Sequence, residues 1–173
     1  MKIQKRTLLT GLLLVFLLSV MFFDSCGNNK NNTESTDSTK VETIKPFSVE
    51  NYNFVIKEND KFINYDKAIY QRGDEVYMVL ENVGPFKKGS DSLNNAQMKL
   101  EVFDAVGTRI TLDDSLFRES RGKSNFPGNM LKKPYARFAT DQTNKPGKYT
   151  MTVTIYDLLS KDSIVISDDF LIE

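Results

Sequence analysis

The chain has 173 residues, and its 23 lysine or arginine side chains balance 23 aspartate or glutamate side chains. It contains no histidine, no tryptophan and a single cysteine. This composition excludes Ser-His-Asp and Cys-His catalysis and imidazole or thiolate metal sites. The neutral balance argues against non-specific nucleic-acid binding, which needs a strongly positive surface. We therefore expect no cofactor and no nucleic-acid partner.

The first 25 residues have the parts of an export signal. These are a basic start at Lys2, Lys5 and Arg6, a mainly apolar run over residues 8–23, and the small residue Ser25. The run is shorter than the ~20 residues that a spanning helix needs. We predict a cleaved signal peptide over residues 1–25. An uncleaved membrane anchor and ordinary cleavage that leaves a free thiol are the alternatives.

The residues around the single cysteine, from Phe23 to Gly27, resemble the lipobox of bacterial lipoproteins. The lipobox pattern prefers leucine where Phe23 stands and a small neutral residue where Asp24 stands. The resemblance implies that Cys26 is acylated, with palmitate-type chains that hold the protein on a membrane. By resemblance to the sorting rule of two-membrane bacteria, Gly27 favours the outer membrane of the cell envelope. The leaflet on which the protein stands is left open.

Residues 26–45 follow the proposed cleavage point, and beyond Cys26 and Gly27 they are almost wholly asparagine, threonine, serine, lysine and acidic residues, without an aromatic side chain. Such a segment buries too little apolar surface to offset the entropy lost on ordering. We predict a flexible, disordered tether.

Residues 46–173 show mostly a period of two, which is typical of half-buried strands. Met98, Leu100 and Val102 alternate with more polar neighbours, whereas residues 76–83 are apolar on both faces and predict a central strand. Candidate strands lie near 49–57, 62–70, 75–83, 97–104, 108–112, 134–140, 147–157 and 162–172. We predict one all-β domain, an antiparallel β-sandwich of seven or eight strands.

Within this domain, residues 146–157 resemble the penultimate strand of bacterial immunoglobulin-like domains of the fibronectin and polycystic-kidney-repeat kind. Residues 70–77 resemble the start of the second strand of such domains, and 98–107 resemble one of their strands and the turn after it. The resemblance implies an immunoglobulin-like sandwich in which Tyr149 buries its ring and bonds back to the preceding loop. It specifies an architecture and hardly any activity.

Carboxylates, lysine, tyrosine and serine remain for catalysis. Local acidic clusters occur at Asp113-Asp114, at Asp168-Asp169 and at Glu119, and paired carboxylates serve glycosidases. Acidic residues in short turns more often cap the turn, and no calcium-loop spacing occurs. Arg72-Gly73-Asp74 spells an integrin-recognition tripeptide, but its position before a strand favours an ordinary turn. We therefore predict a protein that is not an enzyme and has no catalytic or metal site.

The segment from Phe117 to Arg137 is rich in cations and aromatic residues. Basic side chains beside aromatic rings suit an anionic glycan, a lipid phosphate or an acidic protein surface. The partner-binding residues that we predict here are Arg118, Arg121, Lys123, Phe126, Lys132 and Lys133. The alternative is a solvated loop whose Phe126 and Tyr135 pack into the core. A second polar loop, residues 86–96, is expected on the same face.

Three functional hypotheses follow. The first is a lipid-anchored binding or scaffold module without catalysis, whose partner is an envelope protein or an anionic glycan. The second is a structural accessory subunit of an outer-membrane complex, docked through a sheet edge or an exposed aromatic face. The third is a carboxylate-dependent hydrolase, which would require Asp113 and Asp114.

Overall fold

The structure, a computed structural model, describes residues 45–118 and 122–173. Ten β-strands lie within these ranges. In chain order they are β1 (Asn51–Glu58), β2 (Lys61–Asn64), β3 (Ile69–Tyr70), β4 (Glu75–Glu81), β5 (Asn94–Phe103), β6 (Arg109–Asp113), β7 (Lys123–Ser124), β8 (Tyr135–Ala139), β9 (Gly147–Asp157) and β10 (Ser163–Ile172). A short 3₁₀ turn, Pro127–Asn129, precedes β8.

The strands form two sheets that pack face to face as a sandwich, which confirms the predicted all-β class. One sheet has four strands in the order β2-β1-β4-β8. The other has the order β3-β10-β9-β5-β6, with the short strand β7 beside β5. Neighbouring strands are antiparallel except β3 and β10, which run parallel. The prediction of purely antiparallel pairing is therefore wrong for this pair.

The predicted strand near 62–70 is two strands, β2 and β3, which belong to different sheets. The chain leaves the strand conformation between them, where Ala68 has a φ of 46° in the left-handed region. This turn lets the segment cross from the edge of one sheet to the edge of the other. The two-residue strand β7 was not predicted, because alternation cannot be read over so short a stretch.

The core lies between the two sheets, and the predicted alternation identifies its residues correctly. Met98, Leu100 and Val102 of β5 are all at most 1% exposed, while the residues between them are half-buried. Strand β4 is buried from Val76 to Leu80, because Tyr77 and Val79 on its outer face pack with Val55 and Phe62. Burying one such aliphatic side chain contributes about 1.5–3 kcal/mol relative to its exposure.

Tyr149 forms the corner that the sequence predicts at the start of β9. Its ring is 2% exposed, and its hydroxyl donates a 2.8 Å hydrogen bond to the carbonyl oxygen of Lys145. The order β10-β9-β5-β6 is compatible with an immunoglobulin-like sandwich, in which such a corner precedes a central strand. The narrower assignment to the immunoglobulin-like folds stays a prediction.

The predicted signal peptide, Cys26 and all but the last residue of the predicted tether lie outside the described residues. In the described ranges, no helix has both the length and the apolar character needed to cross a bilayer.

Candidate functional site

A groove of about 570 Å³ opens beside β8, and we call it the basic groove. Its lining includes Asp113, Phe117, Arg118, Lys133, Tyr135 and Arg137. The loop after β6 forms one wall of the groove. The Leu116 amide holds this loop against β5 by donating a 2.9 Å hydrogen bond to the carbonyl of Met98. Leu116 and Phe117 pack against the core. The loop therefore holds the exposed Arg118 at the rim.

The cations of the basic groove are partly neutralised by acids of the neighbouring strand β4. Arg137 Nη1 lies 2.7 Å from Glu75 Oε1, and Lys133 Nζ lies 3.4 Å from Glu81 Oε1. These ion pairs are largely exposed, so each contributes only about 0–1 kcal/mol to stability. The groove carries three cations against Asp113, and Asp113 also accepts a hydrogen bond from the Ser115 amide. The lining itself is therefore rich in cations, but with the paired Glu75 and Glu81 three cations stand beside three acids, and Arg118 is the cation that neither glutamate pairs.

Aromatic rings on the outer face of the four-stranded sheet adjoin the groove. The outer aromatic cluster consists of Phe62, Tyr77 and Tyr135, with Val55 and Val79 buried beneath. The ring centroids of Phe62 and Tyr135 are 5.1 Å apart, and those of Phe62 and Tyr77 are 5.5 Å apart. Tyr135 is 48% exposed and also lines the basic groove. The two features therefore form one continuous surface.

Tyr77 is the most buried ring of the outer aromatic cluster. Burial by its neighbours raises the pKa of its phenol, and its hydrogen bond to the Glu75 carboxylate raises that pKa further. The same carboxylate accepts a hydrogen bond from Arg137. A hydrogen-bonded chain of three side chains thus links the aromatic cluster to the cationic rim of the groove.

The predicted partner-binding residues do not all come together. Arg118 and Lys133 line the basic groove, whereas Arg121 lies outside the described residues. Lys132 is within 3.4 Å of the Asn82 side chain. Lys123 is paired with Asp91 at 2.7 Å, and this ion pair lowers the pKa of the Asp91 carboxyl.

Phe126 is 5% exposed and packs on Phe86, with ring centroids 5.2 Å apart. Its ring therefore belongs to the core and not to the surface that a partner would meet. The alternative interpretation, in which Phe126 and Tyr135 both pack into the core, holds for Phe126 only.

The two polar loops do share one end of the sandwich, as the sequence predicts. Lys88 Nζ donates a 3.0 Å hydrogen bond to the Asn125 side chain, and the Lys123–Asp91 ion pair lies nearby along the chain. This contact region does not include the residues of the basic groove. The longer loop therefore has two separate surfaces, of which only the part around Arg118 and Lys133 faces the groove.

The acidic clusters have local partners. Asp169 bonds to Thr150 at 2.6 Å and to Lys148 at 2.9 Å, and these hydrogen bonds lower its pKa. Asp168 accepts a hydrogen bond from the amide of Asp169. Asp114 lies 3.9 Å from Lys99, and Glu119 falls outside the described residues. In the described part of the chain, no three acidic or cysteine side chains are grouped so that they could hold a metal ion.

The Arg72-Gly73-Asp74 tripeptide forms a turn before β4. Asp74 Oδ2 accepts a 2.8 Å hydrogen bond from the Gln71 amide, and Gly73, with a φ of 102°, donates to the hydroxyl of Thr140. Glycine is required here because a side chain strongly disfavours that φ. The geometry agrees with the interpretation of this tripeptide as a turn.

Sequence reasoning did not place Phe62 and Tyr77 beside Tyr135 on the outer face of the four-stranded sheet. Phe62 belongs to the short edge strand β2, and Tyr77 lies in a run that reads as core. Their closeness to Tyr135 depends on the order β2-β1-β4-β8, which the sequence does not show.

Comparisons with known proteins give no family. No protein-family model matches the chain, and no curated protein matches it. Among solved structures, a family 123 glycoside hydrolase from Clostridium perfringens is 15% identical, with a TM-score of 0.40 over 61% of this chain. The matched part spans 22% of that hydrolase chain.

Two further structures are similar over more of the chain. A Niemann-Pick type C2 protein from the Japanese carpenter ant is 9% identical over 74% of this chain and 96% of its own, with a TM-score of 0.44. The C-terminal domain of wzt is 10% identical over 73% of this chain and 72% of its own, with a TM-score of 0.45. Likeness at this level carries no functional argument.

Proposed function

We propose that this chain is a lipid-anchored protein of the bacterial cell envelope that acts as a non-catalytic binding module. The observation that carries the proposal is the continuous surface on which the basic groove meets the outer aromatic cluster at Tyr135. Cations beside an exposed aromatic ring, here that of Tyr135, suit an acidic protein surface or an anionic glycan. The lipobox resemblance around Cys26 supports the proposed location on a lipid anchor in the cell envelope.

The absence of catalysis is part of the proposal. The acidic pairs that a hydrolase would need are engaged in turns and surface ion pairs, as Asp113 and Asp169 illustrate. The chain has no histidine to move a proton near neutral pH. Hydrolysis of an envelope polymer that depended on Asp113 and Asp114 would contradict this part of the proposal.

The test is recovery of the partner from native membranes with the full chain. We expect the triple variant Arg118→Glu, Lys133→Glu and Arg137→Glu to lose the partner, because it reverses the charge of the groove. The matched control reverses three exposed cations elsewhere, at Lys67, Arg72 and Lys161. Loss in the groove variant alone, with unchanged thermal stability, supports the proposal. Equal recovery with both variants contradicts it.

A second candidate function, a structural accessory subunit of an outer-membrane complex, is favoured by the exposure of Tyr135 on the sheet face. In that case a fixed partner would co-purify after mild solubilisation and would be insensitive to the charge reversals. Tyr135→Ala would release it, because the aromatic face and not the cations would supply the contact.

A further inference from the structure

We infer that β8 binds an extended, acidic segment of a partner protein as an added strand of the four-stranded sheet. This inference rests on the proposed binding function and specifies how the partner is recognised.

The first observation is which residues of β8 form backbone hydrogen bonds with β4. The Leu80 amide donates to the carbonyl of Pro134, and the Thr140 amide donates to the carbonyl of Asp74, both at 2.9 Å. Bonded and non-bonded pairs alternate in an antiparallel ladder. The register pairs Met78 with Ala136 and Val76 with Phe138, so these are the bonded pairs.

It follows that the amide and carbonyl groups of Tyr135, Arg137 and Ala139 point away from β4. Among the strands of the described ranges, none pairs with this side of β8. Proteins usually prevent such an edge from pairing with another strand by placing proline, several charges or a covering segment there. Strand β8 contains no proline and only one charged residue, Arg137. Its outer edge therefore has the donors and acceptors that another strand needs.

The second observation is the space beside β8. Strand β6 is an edge of the other sheet, with Ile110 and Leu112 40% and 44% exposed. A cavity of about 610 Å³ lies between the two strands, with Ile110, Phe138 and Ala139 in its lining. The basic groove continues along β8 past Arg137. An added strand lies about 4.8 Å from its neighbour, and the cavity and the basic groove are the open space along this edge.

The third observation sets the chemistry of the added strand. Inward-facing side chains would meet Ile110 and Phe138, in a cavity whose lining also includes Asp104, Asp141 and Lys145. Outward-facing side chains would lie beside Tyr135 and Arg137, with Arg118 at one end of the strand. Cross-strand neighbours interact directly. The edge therefore fits a protein segment in which apolar and acidic residues alternate. An anionic glycan lacks the regular backbone donors and acceptors that the edge offers.

The probe is a synthetic peptide of alternating valine and glutamate, seven residues long and capped at both ends, titrated against the full chain. In a strand, all glutamate amides point to one side and all valine amides to the other. Two derivatives are made, one methylated on every glutamate nitrogen and one on every valine nitrogen. We expect one derivative to bind at least about tenfold more weakly, because it loses several hydrogen bonds, and the other to bind like the parent.

The protein variants are Ala139→Pro and Ala139→Val. The Ala139 amide is not part of the ladder with β4, so proline removes only the donor that faces the added strand. We expect binding to the proline variant to fall by about fivefold or more, and the valine variant to bind like the original protein. If the proline variant does not fold, the methylated peptides still decide the question.

Four outcomes of the peptide and oligomer measurements overturn the inference. The first is that the parent peptide does not bind, and the second is that the two methylated peptides bind equally well. The third is that a peptide with its valines and glutamates in separate blocks binds as well as the alternating parent. The fourth is that the protein forms a dimer that Ala139→Pro dissociates. A native partner that is lost by the groove variant but kept by Ala139→Pro overturns only the strand addition. A partner that both variants keep contradicts the proposed function itself.

Discussion

The side chain of Asn94 anchors the backbone of Phe126, because its Oδ1 accepts a 2.9 Å hydrogen bond from the Phe126 amide. The Nδ2 group of the same side chain donates to the carbonyls of Phe86 and Lys87 at 3.0 and 3.1 Å. Asn94 is fully buried at the start of β5. One amide side chain thus fastens both polar loops to the sandwich.

Replacing Asn94 with alanine leaves these three backbone groups without their partner in a buried place. We expect Asn94→Ala to lower the free energy of unfolding by about 3 kcal/mol, measured by urea denaturation. The matched control is Asn95→Ala, since Asn95 is only half-buried on the opposite face of β5; about 0.5 kcal/mol is expected there. Equal effects of the two changes would show that the anchor is unimportant.

The Tyr149 corner provides a second stability prediction. Tyr149→Phe keeps the buried ring and removes only the hydroxyl that bonds to Lys145. We expect a loss of about 1–2 kcal/mol in the free energy of unfolding. Tyr156→Phe, on the same strand but half-buried on its other face, is the control and is expected to change stability little. No difference between the two variants would contradict the role assigned to the corner.

The pH dependence of stability follows from the carboxyl groups. Lys99 and Arg109 lower the pKa of Glu101, Lys123 lowers that of Asp91, and Thr150 and Lys148 lower that of Asp169. A lowered folded-state pKa gives stability that is present above the ordinary values of 3.8 for aspartate and 4.5 for glutamate. This stability is lost as the pH falls through the lowered values.

Because the chain has no histidine, we expect the urea midpoint to stay nearly constant between about pH 5.5 and 8 and to fall below about pH 4. In the triple variant Asp91→Asn, Glu101→Gln and Asp169→Asn, the urea midpoint is expected to fall less as the pH is lowered through the acid range. A steep change near pH 6.5, or an equally large fall at acid pH in the variant, would contradict this account.

The proposed membrane anchor is tested at Cys26. We expect mass spectrometry of the mature protein to find acyl chains on an N-terminal Cys26, and cells to incorporate labelled palmitate into the chain. Cys26→Ala is expected to abolish labelling and to keep the leader. Ser25→Ala preserves a small residue before the cleavage point and is expected to be labelled normally. An unmodified mature N-terminus would falsify the lipoprotein assignment.

Much of the fold could be predicted because strand periodicity is local. The alternation of Met98, Leu100 and Val102 identifies the buried face of β5, and the position of Tyr149 predicts its hydrogen bond to the preceding loop. The division of residues 62–70 was missed, because the turn at Ala68 depends on a crossing between sheets that apolar periodicity does not encode.

The candidate site was only partly predictable. The cationic composition pointed to Arg118 and Lys133, and both line the basic groove. The same composition also pointed to Phe126 and Lys123, which the fold uses in the core and in a surface ion pair. Composition indicates which side chains are available, but burial and pairing decide which of them face a partner.

The sequence by itself determined most of the long strands and the inward side of each, since these depend on neighbours along the chain; the lipid anchor at Cys26 stays a prediction. Only the tertiary structure decided that Phe62 meets Tyr135 and that β8 and β6 are left as edges beside a common opening. The physical reason is that strand order and register are set by contacts between distant segments, whose free energy depends on the whole packed core.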